Sequence, residues 1–288
     1  MVKNLSLQVA ENPVCLIPDI VYSQPPAYFG YTSRALKMHF VRLAEDRLGA
    51  QEKTKRPTIV WIIGGAFKEI APLKFAPEFA YLAKEGYHVV LIEYRVSNEA
   101  VFPAAVQDAK AAIRFLRAHA DKYGIDENRI AVMGDSAGGY LAAMVGATAG
   151  MKEFETDEWE GYDSSVRAVI DLYGPTDLEA MVKDPDNRYF GDNFKPEVQF
   201  LGPSATHGTW RLANPISHIT RETPPYLIFH GTADEMVPDS QSRLLYEALE
   251  KKGVPADLYL LEGVYHARHE FWQPEIKEII LDFLRRYL

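Results

Sequence analysis

Short apolar runs, too brief for helices, alternate along this chain with stretches of three- and four-residue apolar periodicity, and few folds accept that alternation. TIVWII at 58–63 and HVVLIEY at 88–94 are rich in β-branched and aromatic residues and are bounded by Pro or Gly. A strand apolar on both faces must be covered on both, which predicts central strands of a parallel sheet between helices. Between Ala104 and His119 the residues Ala105, Ala109, Ala112, Ile113 and Leu116 share one helical face, the pattern of a crossover helix. NRIAVMG at 128–134 supplies the next strand, and AGGYLAAMVGA from Ala137 supplies a helix of small residues able to lie close on a sheet.

The rhythm continues with strands in VRAVIDLYG (166–174), PYLIFHG (225–231) and ADLYLLEG (256–263), a helix from Asp239 to Lys251 and a last helix from Pro274. Ahead of them, LKMHFVRL at 36–43 alternates apolar and polar residues and reads as an antiparallel strand with one buried face. These elements predict a single α/β domain over residues 1–288, with a mostly parallel central sheet of about eight strands and helices on both faces. Two stretches break the rhythm. Residues 151–163 are acidic and carry Trp159 and Tyr162; residues 177–213 carry scattered Gly and Pro with Tyr189, Phe190, Phe194, Phe200 and Trp210. Both read as insertions above the sheet, the larger as a small cap or lid.

The net charge of −9, with no Lys/Arg cluster, argues against a nucleic-acid partner, whose binding draws most of its affinity from phosphate neutralisation. A small neutral substrate fits better. Cys15 is the only cysteine, so neither an internal disulfide nor a cysteine-based zinc site can form. MVKNLSLQVAENPV at the N-terminus lacks a signal-peptide core, and the longest apolar stretch, around Ile59 to Phe67, is far too short to span a bilayer. The expectation is a cytoplasmic protein with no membrane partner, and nothing in the sequence opposes a homodimer.

Gly134-Asp135-Ser136-Ala137-Gly138 matches G-x-S-x-G where the chemistry requires it, after a strand and opening a helix. A Gly-rich helix start explains the glycines but not the serine between them, and no Walker-type Gly-Lys-Ser/Thr follows to suggest phosphate. A serine hydroxyl is a poor nucleophile until a base takes its proton, and the base needs a third group to set its tautomer. In this arrangement the acid and then the histidine follow, each on a loop after a strand. Asp234 follows PYLIFHG, at the strand end where active-site groups gather, and is the expected acid; Glu235 and Asp239 are neighbours better read as surface charge or a helix cap. His266, on the loop after ADLYLLEG, is the expected base, with His269 as the nearby alternative.

His266, His269 and Glu270 match no zinc motif and lack a third ligand nearby, so no metal is expected. His230, at a strand end, reads as a packed and hydrogen-bonded structural histidine, and His39, His88, His119, His207 and His218 sit in no motif. A developing oxyanion needs backbone N–H donors. Ala137 supplies one; the other comes from Gly64-Gly65-Ala66-Phe67 after the third strand, although a plain Gly-Gly turn explains these glycines equally well.

At these residues the chain resembles the esterases of the hormone-sensitive-lipase and acetylxylan/feruloyl-esterase (BD-FAE-like) branches of the α/β-hydrolases. EYRVSNEAVFPAAVQDAKAAIRFLRAHADKYGIDENRIAVMGDSAGGYLAA (93–143) is similar to their central block, and YGPTDL, ANPISHI, FHGTADEMVP and EGVYHA to later landmarks in the same order. The resemblance covers most of the chain. It implies the α/β-hydrolase fold, Ser136, Asp234 and His266 as a triad, and Gly65, Ala66 and Ala137 as oxyanion donors. One departure stands out: where the family's loop reads His-Gly-Gly-Gly, Ile63 replaces the histidine and Ala66 the third glycine.

The expected activity is a cofactor-free carboxylesterase acting on short, acetyl-type esters, and the resemblance implies plant-polysaccharide fragments as their source. The pocket is expected around Phe67, Asp135, Tyr140, Tyr173, Phe190 and Trp210, with the Trp159 region, though each aromatic is equally at home in a core. Two other readings compete. One is a serine peptidase similar to the prolyl oligopeptidase group, which shares the Gly-Gly after the elbow; the other is a non-catalytic binding protein on a hydrolase scaffold, against which retention of all three triad residues argues.

Overall fold

The computed structural model describes residues 1–8, 12–28, 30–44, 54–183 and 195–288. Among them eight strands build one sheet: β1 Val14–Ser23, β2 Leu36–Leu43, β3 Arg56–Ile62, β4 His88–Ile92, β5 Ile125–Asp135, β6 Ala168–Leu172, β7 Tyr226–Gly231 and β8 Ala256–Leu261. Their order across the sheet is β1-β2-β4-β3-β5-β6-β7-β8. β2 runs antiparallel to both β1 and β4, and every pairing from β4 to β8 is parallel.

Period-two alternation divides each central strand between two cores. Val60 and Ile62, Val90 and Ile92, Ile130 and Val132, and Tyr226 and Ile228 face one layer of helices: α2 (Ala104–Ala118), α3 (Ala137–Ala147) and α4 (Ser240–Lys252). Ile59 and Trp61, Val89 and Leu91, Ala131 and Met133, and Leu227 and Phe229 face the other: α1 (Ala80–Lys84) and α5 (Pro274–Tyr287). Both sides of these strands are therefore dry, which is why they read as unbroken apolar runs. Below α1 and α5, Trp61 is surrounded by Phe75, Phe79 and Trp272, at centroid distances of 4.9 to 5.8 Å.

Two features differ from the sequence reading. β2 is buried along nearly its whole length, not on one face alone. It lies one strand in from the edge, so its polar residues are satisfied internally: the Asp19 N–H donates to His39 Nδ1 (3.0 Å), and Arg42 Nη1 donates to the Tyr123 carbonyl (3.2 Å). β1, absent from the sequence reading, carries Pro18 and a left-handed Asp19 (φ 62°), with a register break between Ile17 and Ile20. A proline inside a strand is confined to edges and bulges, and it disguised this one.

The loop after β4 is tied to α2 by a buried ion pair. Arg95 Nη2 and Nε reach both Asp108 carboxylate oxygens at 2.7 to 3.1 Å, and Arg95 Nη1 also donates to the Pro26 carbonyl. Removing one partner of such a pair strands a charge away from water. Asp108→Ala is expected to lower unfolding stability by about 3–5 kcal/mol in chemical denaturation, with secondary structure retained at low denaturant.

Candidate active site

Ser136 stands between the end of β5 and the start of α3 with φ 51° and ψ −122°. A non-glycine residue held there stores about 1–3 kcal/mol of strain, which the surrounding structure must offset. Two observations show how. The Ser136 N–H donates to the Leu172 carbonyl at the end of β6 (2.8 Å), and a Cβ at Gly138 would lie only 2.0 Å from the Ile62 carbonyl oxygen, so only glycine lets α3 start so close to β3. The hydroxyl is left standing above the carboxyl edge of the sheet.

Asp234 and His266 reach it from the adjacent strands β7 and β8. Their loops are stitched together: the Thr232 N–H donates to the Leu261 carbonyl (2.9 Å), the Ala233 N–H to the Val264 carbonyl (3.1 Å), and the Gly263 N–H to Thr232 Oγ1 (2.9 Å). His266 Nδ1 lies 2.6 Å from Asp234 Oδ2, and His266 Nε2 lies 2.9 Å from Ser136 Oγ. Asp234 Oδ1 meanwhile accepts the Met236 and Val237 N–H groups, each at 2.9 Å. Burial pushes this carboxyl up, but hydrogen bonds from His230 and His266, the charge of His266 and the Val237 amide outweigh it and hold the group at about 2. An ionised Asp234 accepts from Nδ1–H and leaves the Nε2 lone pair facing the serine hydroxyl.

Glu235 and His269 are exposed, and Asp239 pairs with Arg243 at 2.9 Å. None of the three alternatives therefore joins the relay.

The loop after β3 is held from below. Gly64 N–H donates to Asp135 Oδ1 (2.7 Å), Tyr94 O–H donates to the Ile63 carbonyl (2.9 Å), and the Ser97 N–H and hydroxyl donate to the Phe67 carbonyl (2.8 and 2.9 Å). Gly65 has φ 142°, and a Cβ there would lie 1.9 Å from the Glu69 carbonyl oxygen. Ala66 and Phe67 follow at φ 52° and 59°, so the loop turns through successive left-handed residues. The Gly65, Ala66 and Ala137 N–H groups meet no acceptor among the described residues. Ala137 is the first residue of α3, where an amide has no partner within the helix.

A narrow cavity of about 20 Å³ opens onto Ser136, walled by Ala66, Phe67, Pro175, Met181, Pro196 and Glu197. Of the pocket residues expected from sequence, Phe67 is on this wall. Tyr140 lies behind it, ring edge against Phe67 at 5.4 Å, with its hydroxyl donating to the Ala213 carbonyl (2.7 Å). Tyr173 packs edge-on against the His266 ring at 4.8 Å. Trp210 packs on the core, and Phe190 lies outside the described residues. Asp135 is buried beneath the loop after β3 instead of lining the cavity, because a carboxylate is the acceptor that Gly64 needs there. Trp159 donates to the Tyr22 carbonyl and packs on Phe115 and His119, so the 151–163 stretch is anchored on β1 and α2. Pro175, Met181, Pro196 and Glu197 were missed, since they lie in stretches with no apolar period; Met236 and Val237, also on the wall, were legible only as neighbours of Asp234.

Burial raises the Asp135 carboxyl from 3.8 to about 6, against the Gly64 hydrogen bond and the nearby His266 charge. A carboxyl raised on folding favours the folded state while protonated, an advantage fully present below pH 3.8 and lost as pH rises through about 6. Asn keeps the acceptor for Gly64 but cannot ionise. Between pH 3.5 and pH 7 the wild type is therefore expected to lose about 3 kcal/mol relative to Asp135→Asn in denaturant titrations, whereas a pH-independent difference would contradict the buried carboxyl.

The BD-FAE family profile matches residues 47–249, more than half of the chain. Among curated proteins the chain is similar to Esterase LipC of Mycobacterium tuberculosis, 35% identical over 194 residues that make up 67% of this chain and 48% of LipC. It is also similar to isoprenylcysteine alpha-carbonyl methylesterase ICME of Arabidopsis thaliana, 27% identical over 227 residues, or 73% of this chain and 50% of that one. The chain spans about half the length of the curated relatives it matches. Among solved structures, a truncated carbohydrate esterase from gut microbiota superposes with a TM-score of 0.80 at 26% identity, covering 96% of this chain and 98% of the other. Thermogutta terrifontis esterase 2, phosphoramylated by tabun, superposes with a TM-score of 0.74 at 27% identity, covering 97% and 96%. With its sheet order, its strained serine at the strand-to-helix turn and this family match, the chain belongs to the BD-FAE family and carries the α/β-hydrolase fold.

Proposed function

We propose that the chain is a carboxylesterase that hydrolyses short-chain, acetyl-type esters of sugars through an acyl-enzyme on Ser136. The observation that carries this reading is the unbroken relay from Ser136 Oγ to His266 Nε2 (2.9 Å) and from His266 Nδ1 to Asp234 Oδ2 (2.6 Å). As Ser136 Oγ attacks the ester carbonyl carbon, its proton passes to His266 Nε2, and Asp234 stabilises the imidazolium without taking a proton itself. The carbonyl oxygen becomes an oxyanion and accepts hydrogen bonds from the Gly65, Ala66 and Ala137 amides. Collapse breaks the carbon–oxygen bond to the alcohol, which leaves with the proton from His266. Water then attacks the acyl-enzyme, His266 takes and returns one proton, and the carboxylic acid and free Ser136 are released. The cycle balances without a cofactor.

A cavity of about 20 Å³ supports the short acyl group, being room for a single water-sized or methyl-sized moiety. The carbohydrate part of the reading is supported by similarity to a structure described as a carbohydrate esterase.

Ser136→Ala is expected to lower kcat on nitrophenyl acetate on the order of 10⁴–10⁶-fold with folding intact, and to abolish labelling by a fluorophosphonate probe. Near-normal turnover in that variant would overturn the assignment. Along a series from nitrophenyl acetate to octanoate, kcat/KM is expected to fall at least about 10-fold, because longer chains overfill the cavity.

A further inference from the structure

His230 occupies a core position of β7. It shares strand parity with Tyr226 and Ile228, faces α4 and is fully buried, a place where an aliphatic side chain would be ordinary. An imidazole there must be hydrogen-bonded on both nitrogens to be tolerated, and it is. Nδ1 lies 2.6 Å from Ser242 Oγ on α4, and Nε2 lies 2.8 Å from the Val237 carbonyl oxygen. A carbonyl only accepts, so Nε2 carries the proton. The same nitrogen stands 3.4 Å from Asp234 Oδ2, the oxygen that meets His266.

We propose that His230 is a positioning residue that aligns the Asp234 carboxylate with His266, by sharing its Nε2 proton between Val237 and Asp234 from the buried side of the loop. The inference rests on the hydrolase reading above. Val237 is engaged at both its ends: its N–H donates to Asp234 Oδ1 at 2.9 Å, and its carbonyl accepts from His230. Loop and carboxylate are thus locked against a rigid strand, and Ser242 sets the tilt of the locking ring. Removing the donor leaves the carboxylate held by the two loop amides alone, free to turn Oδ2 away from Nδ1 of His266. The loss would be felt as a weaker grip on the imidazolium that forms when Ser136 attacks.

The side chains of Gln and Asn separate the two roles. Gln can place an N–H near the Nε2 position, whereas Asn is polar and fits but falls short; His230→Leu removes both hydrogen bonds. For each variant, folding is checked by circular dichroism and thermal melting, and kcat and KM for nitrophenyl acetate are measured from pH 5 to 9. Asp135 and Asp171 are the carboxyls facing His266 and His230; Asp171, raised by burial to about 7, loses the charge of His230 equally in all three variants, so the comparison of Gln with Asn is free of that change.

Asn and Leu are expected to lower kcat ~10–100-fold with little change in KM, the size of loss typical when a partner that orients a histidine–carboxylate pair is removed. Their acidic limb should move to lower pH, because an imidazolium less well held gives up its proton sooner. Gln should restore most of both. Should the Leu variant fail to fold, the Gln and Asn pair carries the test. A folded Asn variant with wild-type kcat and an unmoved limb would overturn the proposal, and so would equal losses in Gln and Asn with the limb unmoved, which would mark a packing role only. Wild-type enzyme that neither hydrolyses nitrophenyl acetate nor takes the fluorophosphonate label would instead sink the hydrolase reading itself.

Discussion

The short contact between Asp234 and His266 is possible because two parallel strands end side by side. β7 and β8 pair in register from Ala256 against Tyr226 to Leu261 against Gly231, and the ladder runs on into the loops through the Thr232 and Ala233 amides. Asp234 and His266 are thus carried on what is nearly one piece of sheet, and a 2.6 Å hydrogen bond asks little further ordering of either side chain. Ser136 arrives from β5, two strands away, and its amide is bonded to the end of β6, which lies between. The distances at the site are a readout of sheet geometry, with the loops adding the last turn.

Much of this was legible in the sequence, and for one reason: the central strands are dry on both faces. Runs such as TIVWII leave no ambiguity about burial, and once they are placed, chain order alone puts Asp234 and His266 at strand ends. What was not legible depends on partners far away in sequence. β1 was hidden by Pro18, which a bulged edge tolerates and an interior strand does not. β2 read as half-exposed because His39 and Arg42 are polar, yet both are buried against hydrogen-bond partners the sequence does not name. The cavity wall drew on Pro175, Met181 and Glu197, from segments without period, and Asp135 was read as a wall residue although its carboxylate serves Gly64.

The departures from the family pattern, Ile63 and Ala66, are accommodated in different ways. Ile63 is buried and offers only its backbone carbonyl, which Tyr94 holds, so the loop does not depend on a histidine at this position. Ala66 accepts a left-handed conformation that glycine would adopt without strain, and the bonds on Gly64, Ile63 and Phe67 offset that cost. Rigidity around the amides is thereby supplied from outside the Gly-Gly turn.

The irregular edge at β1 matters in a setting remote from catalysis. An outermost strand with free amides and carbonyls is a template on which other chains can stack. Here Pro18 withdraws one donor, Asp19 twists the backbone out of line, and the register break interrupts the row, while Lys37 pairs with Asp19 alongside to plant two charges at the same spot. The rim that might have seeded fibrous association in a crowded solution is blunted by the same residues that made the strand hard to recognise.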